Sequence, residues 1–272
     1  MKYLTFSLCL LVGGIAIVFL SCNQKNDDPT VTQGTLHPAF ADFDSINLNI
    51  YLDGSNVVIE SNGLPNHTSP YWSNTTARSA IDPMGNVLTT PAAASNHPLF
   101  VAPTVTSYAD MAPGNIDDFN GSYTLRVSSS PTLAGASTST GLGPIGIAVS
   151  GAMIYNDEEG PNVPLDNAVV SLDYTAAHTG PQSYHYHLEP KAWSNDDDKL
   201  IGIIADGFFL YGRKCNSTGT YPTDLDESGG HTHTTQHSTE PEYHYHIQNT
   251  AYLNQYYILF PGDYKGTASA IQ

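Results

Sequence analysis

Apolar and polar positions alternate along this chain in short stretches, and no stretch sustains a helical period. Ile46, Leu48, Ile50 and Leu52 fall on every second residue, and Val57, Val58 and Ile59 follow across Asp53-Gly54. Side chains two apart share one face of a strand, so the spacing predicts two strands joined by a tight turn. Tyr123, Leu125 and Val127 repeat the alternation after Asn120-Gly121. Residues 68–120 are rich in Ser, Thr, Asn and Pro around small apolar islands at Val101 and Val105, and read as loops with edge strands. Tyr252 to Phe260 is apolar and aromatic, and is expected to return as a strand.

One alternation stands apart. Tyr184-His185-Tyr186-His187 occurs again as Tyr243-His244-Tyr245-His246. On a strand, the two imidazoles of each copy point to one face and the two phenols to the other. The similarity extends beyond the tetrapeptide. Ile145-Gly146-Ile147, Gly151 and Tyr155 recur 56 residues later as Ile201-Gly202-Ile203, Gly207 and Tyr211. Leu172-Asp173 with His178 five residues after the Asp recurs as Leu225-Asp226 with His231. Two units, 145–187 and 201–246, are expected to complete each other's core. The fold class this implies is all-β, mainly antiparallel and sandwich- or barrel-like, with an internal pseudo-twofold duplication. No Pro/Gly linker divides residues 40–262, so they are expected to form a single domain with a tail at 263–272.

Composition adjusts this picture. Charged residues are only 13% of 272, and 23 Gly, 18 Pro and 17 Tyr favour strands and turns. The net charge of −17 argues against nucleic acid as a partner, because no basic patch is available to meet phosphates. At the N-terminus, Lys2 precedes an apolar run from Leu8 to Leu20, then Ser21-Cys22. This reads as a lipoprotein signal peptide over 1–21, with Cys22 as the lipidated first residue of the mature protein. Phe19 stands where such sites prefer Leu; a simple membrane anchor or ordinary secretion is the competing reading. Residues 22–39 then serve as a flexible tether. The expected location is the bacterial cell envelope, at the periplasmic face or cell surface, with the membrane as partner through the Cys22 lipid. Of three cysteines, only Cys215 remains for the mature domain, which excludes an internal disulfide.

The doubled tetrapeptide, the Ile-Gly-Ile segments and the Asn62-Gly63-Leu64-Pro65-Asn66-His67 turn together resemble the YHYH domain family, common in bacterial envelope and secreted proteins. The resemblance covers roughly 45–262. It places the family's Gly-Pro-His turn on Gly63, Pro65 and His67, and its Asp-Gly…Tyr-Gly segment on Asp206-Gly207 and Tyr211-Gly212. Its Leu-Asp-Glu-x-x-Gly-His stretch falls on Leu225, Asp226, Glu227, Gly230 and His231. Related sequences tend to carry Cys after the Leu-Asp stretch, where this chain has Ser228. The resemblance implies a fold and site positions; it carries no reaction.

Eight of the eleven histidines lie between His178 and His246. Neutral imidazole is the commonest metal-binding side chain, and His-x-His on a strand offers two ligands on one face. The expected ligands are His185, His187, His244, His246, His178, His231 and His233, converging on one site between the repeats, with His67 capping it through the family's turn. Asp173, Asp226 and Asp206 are expected as ligands or as acceptors that fix ring tautomers. The tyrosines are expected to pack the opposite face. The bland reading is a stack of histidines hydrogen-bonded among tyrosines. With no thiolate foreseen in the repeats, a nitrogen and oxygen site suits a divalent transition metal, Zn, Cu or Fe. Asn195–Asp198 lacks the spaced oxygens of a calcium loop and reads as a solvated turn. No Gly-x-Ser-x-Gly, phosphate loop or Cys/His nucleophile pair is present. Three functions follow: a lipid-anchored metal-binding envelope protein, a metal-dependent envelope enzyme acting by hydrolysis or oxidation, and a surface adhesion or carbohydrate-binding module.

Overall fold

A computed structural model describes residues 34–67, 69, 119–168, 172, 173, 175–180, 182–190, 193–254 and 256–272. The leader, Cys22, the first part of the tether, and the loops expected over 70–118 lie outside these residues. The first strands form as the alternation requires. Strands β1 (Leu48–Asp53) and β2 (Asn56–Ser61) pair antiparallel around a two-residue turn with Asp53 opposite Asn56. Gly54 takes the left-handed conformation there, at φ +63°. Strand β3 (Tyr123–Ser128) pairs with β2 and buries Tyr123, Leu125 and Val127 while their neighbours point outward. These three strands are one small antiparallel sheet.

The larger sheet has eight strands: β4 (Gly146–Ala148), β5 (Met153–Ile154), β8 (Ala177–Gly180), β9 (Ser183–Tyr186), β10 (Leu200–Ile204), β11 (Phe209–Tyr211), β12 (Gly230–His233) and β13 (Glu242–His246). Strands β6 (Glu158–Gly160) and β7 (Val163–Pro164) form a separate two-stranded ribbon. Order across the large sheet is β12-β13-β11-β10-β4-β5-β9-β8. Read outward from the central β4–β10 pair, both halves run in the same sense: an antiparallel neighbour, then a parallel one, then an antiparallel edge strand. The central register is self-consistent, with Ile147 opposite Ile203, Ala148 opposite Gly202 and Gly146 opposite Ile204. Outer strands match as well: Ile154 faces Tyr186 on one side, and Leu210 faces Tyr245 on the other.

Packing explains the central glycines. A Cβ on Gly202 would stand 2.3 Å from the Ile147 carbonyl oxygen, and one on Gly146 2.7 Å from that of Ile203. The two strands approach so closely that only hydrogen fits. Ile147 and Ile203 then share a core with Ile59 and Leu125 of the small sheet. Each such buried side chain contributes about 1.5–3 kcal/mol. Because the sheets share this core, the arrangement is sandwich-like. The edge strands β8 and β12 do not pair with each other, so it is not a closed barrel.

Two details differ from expectation. Among its described residues, Tyr252 to Phe260 makes isolated bridges, Leu188 to Ile258 and Tyr252 to Tyr256, and no strand. Tyr252 and Tyr256 fold this segment back on itself, which shortens its reach along the sheet. The last residues are bonded into the domain: the Thr124 N–H donates to the Gln272 carbonyl at 2.7 Å, and the Gln272 N–H returns a bond at 3.1 Å. Among the described residues, no helix is long and apolar enough to cross a membrane.

Candidate metal centres

Each Tyr-His-Tyr-His segment supplies two imidazoles, and the neighbouring antiparallel strand supplies a third. His178 lies directly opposite His185 in the β8–β9 ladder, and His231 opposite His244 in the β12–β13 ladder. His187 and His246 follow two residues after their partners, on the same face. Two triads result, each at an outer edge of the sheet. The four strands between β9 and β13 separate them by about 24 Å at the usual strand spacing. This overturns the single convergent site expected from the repeats. The β4–β10 pairing at the centre of the sheet leaves the histidine strands β9 and β13 toward opposite ends.

In the first triad, the His185 Nε2 stands 3.0 Å from that of His178 and 3.1 Å from that of His187. A Glu159 carboxylate oxygen lies 3.3 Å from the Nε2 atoms of both His178 and His187. The Tyr155 ring stacks on His185 with centroids 3.8 Å apart. In the second triad, the Nε2 atoms of His244 and His246 are 3.1 Å apart. The donor atoms of Cys215, His231, His244 and His246 all lie within 4.8 Å of one another, and all four residues are buried. Four donors held about 2.0–2.1 Å from one ion in a tetrahedron stand about 3.3–3.4 Å apart, so these separations suit a metal.

Protonation states sharpen the point. The His246 Nδ1 is 2.7 Å from the Gly212 carbonyl oxygen, and the His244 Nδ1 is 3.0 Å from that of Glu242. A carbonyl only accepts, so each Nδ1 carries the proton and each Nε2 presents a lone pair. Burial, before any other cause, lowers the His244 imidazole to about 4 and His246 to about 3, so both are neutral at pH 7. Two lone pairs therefore face each other at 3.1 Å with no hydrogen to share. His187 has the same fixed tautomer: its Nδ1 lies 2.6 Å from the Asn156 carbonyl, and burial lowers it to about 4. Burial also holds His185 well below the ordinary histidine value, aided by His178 and His187. For Glu159, burial raises the carboxyl, yet the His178 hydrogen bond and the electrostatic pull of the neighbouring imidazoles bring it below the usual value.

The remaining expected ligands go elsewhere. His67 hydrogen-bonds the Tyr186 hydroxyl at 2.5 Å and packs against Tyr184, on the phenol face rather than the imidazole face. Asp173 accepts from the Tyr184 hydroxyl, from Ser69 at 2.6 Å and from Thr175. Asp226 accepts from the Tyr243 hydroxyl at 3.0 Å and from the Gly230 N–H. Asp206 accepts from Tyr245 at 2.5 Å and from the Lys265 and Gly266 N–H groups. These carboxylates hold the tyrosines, not the histidines, because strand alternation sends the rings to opposite faces. His233 accepts from the Thr234 N–H and lies outside the second donor group, two residues past His231 on a partly exposed strand end.

Sequence reasoning missed three residues. No thiolate is expected in the repeats from the sequence, yet the Cys215 sulfur lies beside the second triad. Glu159 is its counterpart at the first. They stand 56 residues apart, the spacing of the Ile-Gly-Ile segments, and that spacing was the available signal. Asp224 accepts from the His231 Nδ1 at 2.9 Å, as carboxylates do behind metal-bound histidines.

Residues 124–223 match the family model described as YHYH protein. The match takes in the first Tyr-His-Tyr-His copy and the Asp206-Gly207 and Tyr211-Gly212 segment, and ends before the second copy. No curated protein and no solved structure matches the chain.

Proposed function

We propose that this chain is a lipid-anchored protein of the bacterial cell envelope that binds divalent transition-metal ions at two histidine centres. The His244–His246 contact carries the reading. Two neutral imidazoles, each with its Nδ1 proton committed to a carbonyl, are held lone pair to lone pair at 3.1 Å. A cation between them turns a repulsion into coordination. The bland reading, histidines stacked and hydrogen-bonded among tyrosines, supplies no proton for that contact. Lipid anchoring is supported by Lys2, the Leu8–Leu20 run and Cys22.

A catalytic role is favoured by one feature, a cavity of 510 Å³ onto which all three imidazoles of the first triad open, beside Tyr155 and Glu159. An ion there meets solvent and small molecules, as hydrolytic or oxidative metal chemistry needs.

Elemental analysis of protein purified without a His-tag or nickel column tests the proposal. Two ions per chain are expected. His185→Ala should remove one, His244→Ala the other, and the double variant both, whereas His37→Ala and His97→Ala keep both. Metal-replete protein holding no ion, or holding two after both substitutions, overturns it.

A further inference from the structure

We infer that the two centres are one metal site present twice, with its fourth donor exchanged: Glu159 at the first and Cys215 at the second. The inference rests on the metal-binding reading above. The same 56-residue step that separates Glu159 from Cys215 relates Gly146 to Gly202, Ile147 to Ile203, Gly151 to Gly207 and Tyr155 to Tyr211. It also relates Asn156 to Gly212, the residues whose carbonyls hold the His187 and His246 Nδ1 protons at 2.6 and 2.7 Å. A coincidence of composition does not place the same backbone acceptor behind the same histidine in both halves. Gly151 and Gly207 share the left-handed backbone as well, at φ +105° and +93°.

The exchange changes the chemistry. At the second centre, the His231 Nε2 is buried and has no hydrogen-bond partner. The His231 side chain is only 5% exposed. Its other nitrogen is committed to Asp224 at 2.9 Å. That unpartnered nitrogen belongs to a residue in the same donor cluster as the Cys215 sulfur, which otherwise contacts the Ser217 hydroxyl at 3.0 Å. On binding, the thiol releases its proton to solvent and the thiolate closes a tetrahedral His₃Cys shell. Only His231 and Cys215 of that shell border the adjoining 310 Å³ cavity; His244 and His246 lie behind them. Such a site retains a thiophilic ion and leaves it no free position.

At the first centre, the fourth donor is a carboxylate on the β6–β7 ribbon, and its side chain is 27% exposed. All three imidazoles border the 510 Å³ cavity. Glu159 can withdraw toward solvent and leave a coordination position open to water or a small anion. The first centre is therefore the exchangeable site and the second the permanent one.

Co²⁺ loading of the full chain separates these roles, because a thiolate bound to Co²⁺ gives a near-ultraviolet charge-transfer band that imidazole and carboxylate do not. One such band per chain is expected at saturation, and it should disappear in Cys215→Ser. Glu159→Cys, at a position whose side chain is 27% exposed, should double its intensity. Azide should shift the visible cobalt bands in wild type and in Cys215→Ser, but not in His185→Ala. Two bound Co²⁺ ions without a charge-transfer band, or a band that survives Cys215→Ser, overturns the donor exchange. A band left unchanged by Glu159→Cys overturns the equivalence of the two positions. An azide response that persists in His185→Ala overturns the open first centre. Failure to bind Co²⁺ at all would instead remove the metal-binding reading on which the inference stands.

Discussion

Acid should destabilise the metal-free protein steeply, well before carboxylates titrate. In the unfolded chain a histidine titrates near about 6.5. In the folded, metal-free protein, burial first of all lowers His187 and His244 to about 4 and His246 to about 3. The sign follows from proton counting. Above about pH 6.5 neither state binds a proton at these sites, and their full contribution to stability is present. As pH falls below that value, the unfolded chain takes up protons that the folded chain refuses, and stability is lost until the folded values near 4 and 3 are reached. Between pH 7 and pH 5, each of the three groups costs about 1.8 kcal/mol on this reckoning, and together about 5 kcal/mol. A domain of this kind has about 5–15 kcal/mol in all, so the loss is a large share of it. Bound metal competes with protons for the same lone pairs and should shift the loss to lower pH. Guanidinium melts at pH 7, 6 and 5, with chelator and with saturating Zn²⁺, measure both effects. If chelator-treated protein is as stable at pH 5 as at pH 7, the buried neutral histidines are not what the geometry indicates.

Two further outcomes are expected. Gly202→Ala places a Cβ 2.3 Å from the Ile147 carbonyl oxygen and 2.9 Å from the Ala148 Cα, at the centre of the sheet. It should cost more than about 3 kcal/mol in a denaturant melt, whereas Gly135→Ala, which meets nothing within 4 Å, should stay within about 0.5 kcal/mol; equal losses would contradict the close β4–β10 seam. Cys22→Ser should shift the protein from the membrane fraction to the soluble one, or stall its processing, and normal lipid-anchored maturation of that variant would refute the anchor.

The sequence by itself determined the strand-rich class, because period-two alternation at Leu48–Leu52 and Tyr123–Val127 allows only one buried face per strand. It determined that the imidazoles of each Tyr-His-Tyr-His copy share a face, and that His178 and His231 stand at matching steps from Asp173 and Asp226. Those are local facts, legible from spacing alone. Where the two copies lie relative to each other is not local. The glycines at 146 and 202 allow β4 and β10 to meet at the sheet centre, and that pairing drives β9 and β13 to opposite ends. One expected site therefore became two. Side-chain partners were decided at the same level. Asp173 and Asp226 sit a fixed step from histidines in the chain, yet the pleat turns them to the tyrosines. Glu159 and Cys215 sit far in sequence from the imidazoles they approach, and only the fold brings carboxylate and thiol to the triads. Alternation along a strand is set by backbone geometry within a few residues; the convergence of donors from separate strands depends on which strands pair, and that is settled by packing across the whole domain.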